Sequence, residues 1–435
     1  MTTDSTTSDD DANLFLGAAW FDPIEAGIRG RIRGFIEALI EQELAAAPGR
    51  TRYQRRPAAA AAAAAGTEVP ADTSGAGDAA DPPPPIAGHR HGRRARRLVG
   101  SFGAVEIAVP RARLRGEGGA AREWRSAVLP RYARRTRQVE ALIAGAYLAG
   151  TNTRRVRRAL AALFKGAISK DTVSRVWRKV KTDWEAWSRR SLAGEDVVRL
   201  ILDGTVVRAR LDKKAATISL PVVLGVRRDG QKVLLAVRNM GGESEAAWRA
   251  VLDELIARGL RTPEFLIVDG AAGLERALAA LWPAVPTQRC TVHKHRNLVA
   301  HAPDHLHEEV SAASTDMLYA ATVEEVAARR TAFLRKWRLR CRAVADSLEE
   351  AGDKLFTFTR LPPGRWKSAR TTNAVERLHE ESKRRIKTQT VPPSPETAAL
   401  LFWALLASGQ ITMRKVDGWP TLAQRPADAV IDLAA

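Results

Sequence analysis

The pattern of hydrophobic and polar positions changes character after Gly194. From there, apolar runs of strand length alternate with amphipathic segments of helical period. "VVRLILDG" and "EFLIVDG" predict buried strands, and "AATISLPVVLGVRRDGQKVLLAVRN" predicts two strands joined at a turn. "GGESEAAWRAVLDELIARGL" and "AAGLERALAALWP" predict helices, and "PTQRCTVH" a further short strand. This order predicts an α/β fold around a sheet of mixed strand directions.

The chain beyond this sheet is predominantly helical. A helical pattern runs from about Lys294 to Arg365 and breaks at "LPPGRW". The next helix, "RTTNAVERLHEESKRRI", is predicted to begin near Thr371 and Thr372 and has strongly basic last turns. It also carries three glutamates: Glu376, Glu380 and Glu381. The negative charge of a glutamate repels phosphates and would weaken phosphate binding by this helix. The three glutamates therefore need a separate explanation.

The segment before Gly194 has another organisation. Residues 1–12 have the composition of a disordered tail, and a helical pattern follows from about Pro23 to Ala47. Arg55–Gly88 is rich in Ala, Pro and Gly, which is typical of a linker. "RRLVGSFGAVEIAVPRARLR" alternates with period two around a glycine turn and predicts a hairpin.

Three predicted helices follow the hairpin. They are "TRQVEALIAGAYLAG", "TNTRRVRRALAALF" and "SKDTVSRVWRKVKTDWEAW", the last with Ser169 as N-cap. Two helices joined by a tight glycine-containing turn are the pattern of a helix-turn-helix. The start of the second helix would then face base edges or phosphates with these residues: Lys170, Thr172, Ser174 and Arg175. A plain basic three-helix bundle is the alternative interpretation.

The charge distribution favours DNA binding by this part of the chain. The formal net charge is +20, and 26 Lys and Arg stand against 7 Asp and Glu between His89 and Arg190. Such a concentrated basic block is the electrostatic footprint of a nucleic-acid-binding region. The arginines are not gathered on one face of an apolar helix, which disfavours an anionic membrane surface as the partner.

Several classes of protein are disfavoured by what the sequence contains. Two cysteines, Cys290 and Cys341, predict no disulfide framework and fit a reducing compartment. The polar, acidic start does not resemble a secretory signal, and the longest apolar runs are too short to span a bilayer. We found no phosphate-binding loop motif and expect no nucleotide cofactor. These observations predict a cytoplasmic protein without a membrane partner.

Two aspartates occupy equivalent positions in the predicted sheet. Asp203 and Asp269 each close an apolar strand and precede a glycine, at the strand ends where open α/β sheets collect ligands. An Asp-Gly pair can also simply start a turn. Together with a glutamate on the later basic helix, however, the aspartates would form a set of hard oxygen ligands for Mg²⁺. We select Glu376, because it lies in the first turns of that helix; Glu380 lies on the same face and is its rival.

Four segments together resemble the mutator-type transposases of bacterial insertion sequences. They are "LDGTVVRAR", "FLIVDGAAGL", "QRCTVHKHRN" and "RTTNAVERLHEESKRRIK", and the resemblance extends from roughly Gly88 to Trp419. It implies a ribonuclease-H-like catalytic core with a helical insertion, behind a helix-turn-helix DNA-binding region. It also implies a catalytic and metal-binding triad of Asp203, Asp269 and Glu376, which would use Mg²⁺, with Mn²⁺ as a substitute.

The resemblance divides the chain into six predicted segments. They are a tail and helix (1–54), a linker (55–88), a basic DNA-binding region (89–194), a first part of the core (195–293), a helical insertion (294–368), and a final part with the Glu-bearing and C-terminal helices (369–435). It also implies a homodimer that pairs two transposon ends, acting in the bacterial cytoplasm in association with the nucleoid.

Further residues are assigned to DNA or to structure. The predicted DNA contacts outside the recognition helix are Arg154, Arg155, Asn373, Lys383, Arg384 and Trp337. Trp337 would stack on a flipped base; the alternative is burial in the core of the insertion. The family's Cys-x-x-His motif is matched by Cys290 and His293, for which we favour a structural role or DNA contact over zinc, because structural zinc sites need four ligands.

These assignments predict a DNA transposase. It would use two metal ions to cleave and join strands at the ends of its own element, on double-stranded DNA that includes the target. Two alternatives remain at this point. One is a non-catalytic DNA-binding regulator, in which the three carboxylates are dispensable. The other is a ribonuclease-H-like nuclease that hydrolyses DNA without strand transfer.

Overall fold

The computed structural model describes residues 23–47, 88–115, 121–150, 152–160, 164, 168–211, 214–240, 242–389, 392 and 394–427. The predicted tail of residues 1–12 and nearly all of the linker lie outside them. The chain divides into two compact units, here called unit 1 (residues 1–144 and 153–174) and unit 2 (145–152 and 175–435). The division into six segments stays a prediction. No helix in the described ranges is long and apolar enough to cross a membrane.

Helices and strands are numbered in chain order. The helices are α1 (Pro23–Ala46), α2 (Arg137–Leu148), α3 (Thr153–Ala159), α4 (Lys170–Arg189), α5 (Glu245–Ala257), α6 (Ala272–Leu281), α7 (Thr291–Ala300), α8 (His307–Leu318), α9 (Val323–Arg340), α10 (Arg342–Ala351), α11 (Pro363–Ala369), α12 (Asn373–Gln389) and α13 (Pro395–Ala407). The strands are β1 (Gly88–Gly100), β2 (Gly103–Arg115), β3 (Ala121–Glu123), β4 (Val197–Leu211), β5 (Lys214–Arg227), β6 (Lys232–Val237), β7 (Phe265–Val268) and β8 (Thr287–Arg289).

The predicted hairpin is present in unit 1. Strands β1 and β2 pair antiparallel up to the turn at Gly100 and Gly103, and β3 adds a short third strand. Helix α1 covers this sheet, because its apolar stripe buries Ile40 against Ile107. The side chain of Glu37 on α1 accepts a hydrogen bond from the Ala108 amide at 2.8 Å, which fixes the helix along β2.

The predicted N-cap of α4 is also present. The Thr172 amide donates to the Ser169 Oγ at 3.2 Å, so the cap satisfies an otherwise unpaired amide of the first turn. The prediction for Thr172 itself needs correction. Its hydroxyl lies 3.2 Å from that of Ser169 and its side chain is buried, so in this structure it does not face solvent as base-edge contact requires. Lys170, Ser174 and Arg175 are exposed.

The sheet of unit 2 has mixed strand directions, as predicted. Its order is β6-β5-β4-β7-β8. Strands β4, β5 and β6 are antiparallel neighbours, whereas β4, β7 and β8 run parallel. Strand β4 is longer than predicted and continues past Gly204 to Leu211, because β5 pairs with it over its whole length. The expectation that Asp203 ends its strand was therefore wrong.

Each face of this sheet is covered by helices. Successive side chains of β4 point to opposite faces of the sheet. Leu200 and Leu202 lie in a first core with α5 and α6, and Ile201 lies in a second core with the later helices. Trp337 of α9 belongs to the second core and is fully buried, 5.9 Å from the Phe333 ring. The buried alternative therefore describes Trp337, and base stacking by this side chain does not fit the structure.

Candidate active site

The two aspartates lie side by side at one edge of the parallel pairing. The last paired residues of β4 and β7 are Leu202 and Val268, so Asp203 and Asp269 are the next residues along the chain from this pair. After Asp269 the chain turns at Gly270, whose φ of 99° favours glycine. The Ala271 amide donates to the Asp269 Oδ1 at 3.0 Å and holds that carboxylate at the start of α6.

A small group of hydrogen bonds places the start of α12 beside the same edge. The Cys290 amide donates to the Val268 carbonyl at 2.7 Å, and the Thr291 amide donates to the Arg370 carbonyl at 2.9 Å. The amide and hydroxyl of Thr372 both donate to the Cys290 Sγ, at 3.4 and 3.5 Å. Because β7 and α12 are both bonded to the same segment, the first turn of α12 has a fixed position relative to Asp269.

Glu376 lies one turn into α12 and reaches the site. Its Oε1 is 3.5 Å from the His293 Nε2 and 3.5 Å from the Arg296 Nη1. The other two glutamates of this helix have other surroundings. Glu381 pairs with Arg384 and Arg385, and Glu380 is exposed to solvent. Glu376 is thus the glutamate of α12 whose charge acts on Asp203.

Both aspartates have a raised pKa, unlike carboxylates on a protein surface. Asp203 is 2% exposed, and its Oδ2 has no hydrogen-bond partner among the described residues. Burial and the nearby charge of Asp269 raise the pKa of Asp203 to about 7. Burial also raises the pKa of Asp269, with a smaller contribution from the charge of Glu243. The raised pKa values mean that the charged forms of Asp203 and Asp269 are disfavoured unless a further positive charge lies nearby.

A divalent cation fits this arrangement. In the part of the chain that the structure describes, no lysine or arginine is ion-paired with Asp203 or Asp269, and the buried Asp203 Oδ2 lacks a donor. Orphaned buried oxygens are costly unless a ligand engages them. Carboxylate oxygens gathered on rigid elements are the ligands that Mg²⁺ and Mn²⁺ prefer.

Cys290 and His293 lie at the start of α7, next to the carboxylates. Cys290 is fully buried, and burial raises the pKa of its thiol, but hydrogen bonds with His293 and Thr372 outweigh this and lower it. The pKa of His293 is raised to about 9, chiefly by its hydrogen bond with Cys290 and also by the charges of Asp203 and Glu376. The ligand atoms of Cys290, His293 and Glu376 lie within 4.8 Å of one another. The structural or DNA-contacting role that we favour over zinc for Cys290 and His293 stays a prediction.

The remaining predicted DNA-binding residues are exposed to solvent. Asn373, Lys383 and Arg384 are exposed on α12, and Arg154 and Arg155 are exposed on α3. The charges of Asp269, His293 and Glu376 all act on Asp203, and the ligand atoms of Cys290, His293 and Glu376 lie close to one another. The five predicted DNA-binding residues named in this paragraph are all exposed.

Two residues near the cluster were missed by the sequence interpretation. Arg296 is the cation beside Glu376, and Glu243 lies in the loop between β6 and α5. The only signal for Arg296 was its place three residues after His293, one helical turn along α7. Nothing in the local pattern of "GGESE" distinguishes Glu243 from an ordinary helix-start residue.

Comparison with known proteins defines the class of DNA-processing enzyme to which these features belong. Residues 71–413 match the family described as "Transposase, Mutator family". The chain belongs to this family of transposases.

Several relatives are transposases of bacterial insertion sequences. The transposase for insertion sequence element ISRM5 of Rhizobium meliloti (strain 1021) is 28% identical over 380 residues, 87% of this chain and 86% of that protein. The transposase for IS905 of Lactococcus lactis subsp. lactis (strain IL1403) is 29% identical over 311 residues, 71% of this chain and 76% of that protein. The transposase for IS6120 of Mycolicibacterium smegmatis is 29% identical over 263 residues, 60% of this chain and 81% of that protein.

Proposed function

We propose that this transposase cleaves and joins DNA strands at the ends of its own insertion sequence by a two-metal mechanism, with Asp203, Asp269 and Glu376 as the metal-binding residues. The observation that carries the proposal is the juxtaposition of these carboxylates at one sheet edge, where the buried Asp203 Oδ2 has no partner among the described residues. A non-catalytic regulator offers no reason for such a costly arrangement.

The sheet supports a ribonuclease-H-like core. Three antiparallel strands followed by two parallel ones, in the order β6-β5-β4-β7-β8, place one acidic residue on the central strand and one after its parallel neighbour. The third acidic residue comes from a helix that follows a long helical stretch, α7 to α11. This is the arrangement of acidic residues that the resemblance implies.

The chain's own residues have separable tasks in this proposal. Asp203 and Asp269 form a rigid pair on adjacent strands, and Glu376 approaches from α12. When bound, two Mg²⁺ ions would activate the attacking oxygen and stabilise the leaving oxygen at phosphorus, and Mn²⁺ could replace them. Arg296 and the exposed Lys383 and Arg384 would hold the phosphodiester by charge.

Two displacements complete the proposed reaction. In the first, water attacks the phosphodiester at the transposon boundary, breaks one P–O bond and leaves a 3′-hydroxyl. In the second, that 3′-hydroxyl attacks another strand, forms a new phosphodiester and releases a 3′-hydroxyl from the strand that it cut. The same three carboxylates serve both steps, because each is an in-line displacement at phosphorus.

The basic part of the chain supports binding of the transposon ends. Lys170, Ser174 and Arg175 are exposed on the first turns of α4, and Arg154 and Arg155 on α3, as a helix-turn-helix would present them. We retain the helix-turn-helix and the homodimer on DNA as part of the proposal. Action in the nucleoid of the bacterial cytoplasm is its cellular counterpart.

A nicking assay tests the proposal. The full-length protein is incubated with Mg²⁺ and a labelled duplex that carries the element's end, and wild type is compared with Asp269→Ala and Glu376→Ala. We expect nicking at the boundary to fall more than about 100-fold in both variants, since even residues behind metal ligands commonly contribute 10–100-fold. Glu380→Ala, which removes an exposed glutamate of the same helix, is the matched control and should nick normally.

Two outcomes would contradict the proposal in different ways. If DNA binds without nicking in every protein, including wild type, the regulator is the better explanation. If nicking is metal-dependent but no strand-joined product forms with a second duplex, the protein is a nuclease without transfer activity.

A further inference from the structure

We propose that an arginine-lined groove on the three-stranded sheet of unit 1 binds the phosphate backbone of duplex DNA. The inference rests on the proposed function in one respect, because it takes DNA to be the substrate of this transposase. It adds a surface built from β1, β2 and the segment after β3, none of which carries a DNA-binding residue singled out from the sequence.

The groove is a cavity of about 400 Å³ lined by the sheet and by the segment that follows β3. Its lining contains five arginines and one carboxylate, that of Glu123. The arginines are Arg94 and Arg96 of β1, Arg111 of β2, and Arg125 and Arg131 of the following segment. A concave surface with such an excess of one charge focuses positive potential and attracts anions.

The register of the sheet explains why these side chains meet. Arg94 lies opposite Val109 and Arg96 opposite Ile107, so both arginines point to the face that carries Ile107. Arg111 is two residues beyond Val109 on β2 and therefore lies on the same face. Ile107 is fully buried there. The arginines thus extend from the edge of the core of unit 1, on strands that are paired with each other.

Arg96 holds the wall of the groove in place. Its guanidinium donates to the carbonyls of Leu129, Pro130 and Ala133, at 3.3, 2.9 and 2.7 Å. A carbonyl oxygen accepts a hydrogen bond but carries no full charge, so the positive charge of Arg96 is not neutralised. Burial lowers the pKa of Arg96, and the neighbouring charge of Arg94 lowers it further. Arg96 is therefore a positioning residue whose charge adds to that of the groove.

Arg94 and Arg125 are the cations available to a ligand. Both are exposed, and neither has a hydrogen bond or an ion pair with any residue that the structure describes. Arg111, by contrast, lies 3.3 Å from the Glu123 Oε1, so the carboxylate of the groove already has a partner. The other arginines of the groove have no acidic partner in the described ranges.

The phosphates of duplex DNA fit this composition. The cations of the groove are all arginines, and a planar guanidinium binds phosphate oxygens with two parallel hydrogen bonds. Guanidiniums spread over two strands and a loop exceed what one free phosphate needs, whereas each DNA strand presents a phosphate about every 3.4 Å. Such contacts hold a duplex without reading its sequence, unlike the base-edge contacts predicted for the first turns of α4.

Fluorescence anisotropy with a labelled duplex of unrelated sequence tests this site. Full-length wild type, Arg94→Gln and Arg125→Gln are titrated at several salt concentrations in EDTA, which prevents metal-dependent cleavage. We expect each variant to bind about 5- to 10-fold more weakly at 0.1 M salt, because each phosphate contact contributes about 0.9 to the slope of log affinity against log salt. The slope itself should fall by about 1 in each variant.

Arg97→Gln is the matched control. Arg97 is also exposed on β1, but it lies opposite Glu106 on the other face of the sheet. Removing its charge should leave both the affinity and the salt slope close to those of wild type. Arg94→Lys keeps a positive charge, so it should retain most of the salt slope that Arg94→Gln loses.

Three results would overturn the inference. The first is a wild-type salt slope in both Arg94→Gln and Arg125→Gln. The second is an equal loss of slope in Arg97→Gln, because the loss would then follow total charge and not the groove. The third is a loss confined to a single-stranded oligonucleotide of the same sequence, which would assign the groove to single strands.

Asp269→Ala distinguishes failure of this inference from failure of the proposed function. If Asp269→Ala loses nicking while both groove variants keep the wild-type slope, the proposed catalytic site stands and the groove is not a DNA site. If the groove variants lose slope while Asp269→Ala nicks like wild type, the groove binds DNA and the proposed catalytic site is wrong. Absence of duplex binding by wild type would overturn both.

Discussion

Two groups of carboxylates in unit 2 differ in what faces them. At the candidate site, Asp203 and Asp269 form no ion pair with a described lysine or arginine. The second group is Glu275 and Glu350, which are ion-paired with basic side chains. Together with these partners they are here called the ion-pair cluster: Glu275, Glu350, Arg289, Lys294 and Lys354. Arg289 pairs with Glu275 at 2.7 Å and with Glu350 at 2.9 Å, and it also donates to the Gly270 carbonyl next to Asp269.

The comparison shows two arrangements of charge in one fold. In the ion-pair cluster, burial alone would raise the pKa of Glu350, but hydrogen bonds from Lys294 and Arg289 outweigh burial and lower it. At the candidate site burial and the charge of Asp269 outweigh the charge of His293 and a hydrogen bond with Thr372, and the pKa of Asp203 rises to about 7. The charge of Glu350 is thus compensated by described lysine and arginine side chains, whereas Asp203 and Asp269 have no such partner among the described residues.

Replacing Arg289 should have the largest effect on stability. Arg289→Met keeps much of the side-chain volume and leaves Glu275, whose side chain is 17% exposed, with Lys354 as its remaining ion-pair partner. Because removing one member of a buried pair strands the other, we expect a loss of about 3 kcal/mol or more. Thermal unfolding of unit 2 in EDTA would show it as a fall in Tm of roughly 6 °C or more.

Arg276→Met is the matched control for this prediction. Arg276 is 63% exposed and pairs with the exposed Glu245, so solvent already screens the pair. We expect its loss to change stability by less than about 1 kcal/mol. Equal effects of Arg276→Met and Arg289→Met would show that burial does not separate these ion pairs.

Removing a charge at the candidate site should raise the stability of the metal-free protein, whereas removing Arg289 lowers it. With a folded-state pKa of about 7 against 3.8 for the free group, protonated Asp203 contributes stability that is complete below about pH 4. That contribution is lost between about pH 4 and pH 7, because the carboxyl of the unfolded chain ionises in this range while the buried one stays protonated. Asp203→Asn cannot ionise, so we expect it to be more stable than the metal-free wild type at pH 8, by on the order of 2 kcal/mol.

The measurement is Tm against pH in EDTA for wild type and Asp203→Asn. The two curves should meet near pH 4 and separate towards pH 8. Added Mg²⁺ should then raise the Tm of wild type and have little effect on Asp203→Asn. A lower Tm of Asp203→Asn at pH 8 in EDTA would mean that ionised Asp203 is already compensated in the metal-free protein.

The smallest expected effect is at the edge of the ion-pair cluster. Lys354 is half-exposed and lies 3.0 Å from Glu275, which Arg289 also neutralises. Lys354→Ala should therefore cost no more than about 0.5 kcal/mol, close to the value for exposed pairs. A denaturant titration would check this, and a loss as large as that of Arg289→Met would show that Lys354 carries the cluster.

The parts of the fold that could be predicted are those set by local patterns. The run Phe265–Val268 is apolar at every position because the strand is buried on both faces, so its state could be read directly. Ser169 was recognisable as a cap because its hydroxyl serves the amide three residues ahead.

The parts that could not be predicted depend on contacts distant in sequence. The length of β4 is set by pairing with β5, and Val206 in its second half is 53% exposed, so no apolar run marks it. Trp337 lies among cations in the sequence, but whether it faces the core or solvent depends on how α9 packs. Glu243 packs against Gly204, a residue on a different element, and no local pattern shows this contact.

The hydrogen bonds between Thr372 and Cys290 join two residues 82 positions apart. With the bond from Thr291 to Arg370, they bring both ends of the α7–α11 stretch together beside β7. The entropic cost of closing such a stretch grows only slowly with its length. Insertions or deletions between these two points would therefore leave the distance from Glu376 to Asp269 unchanged.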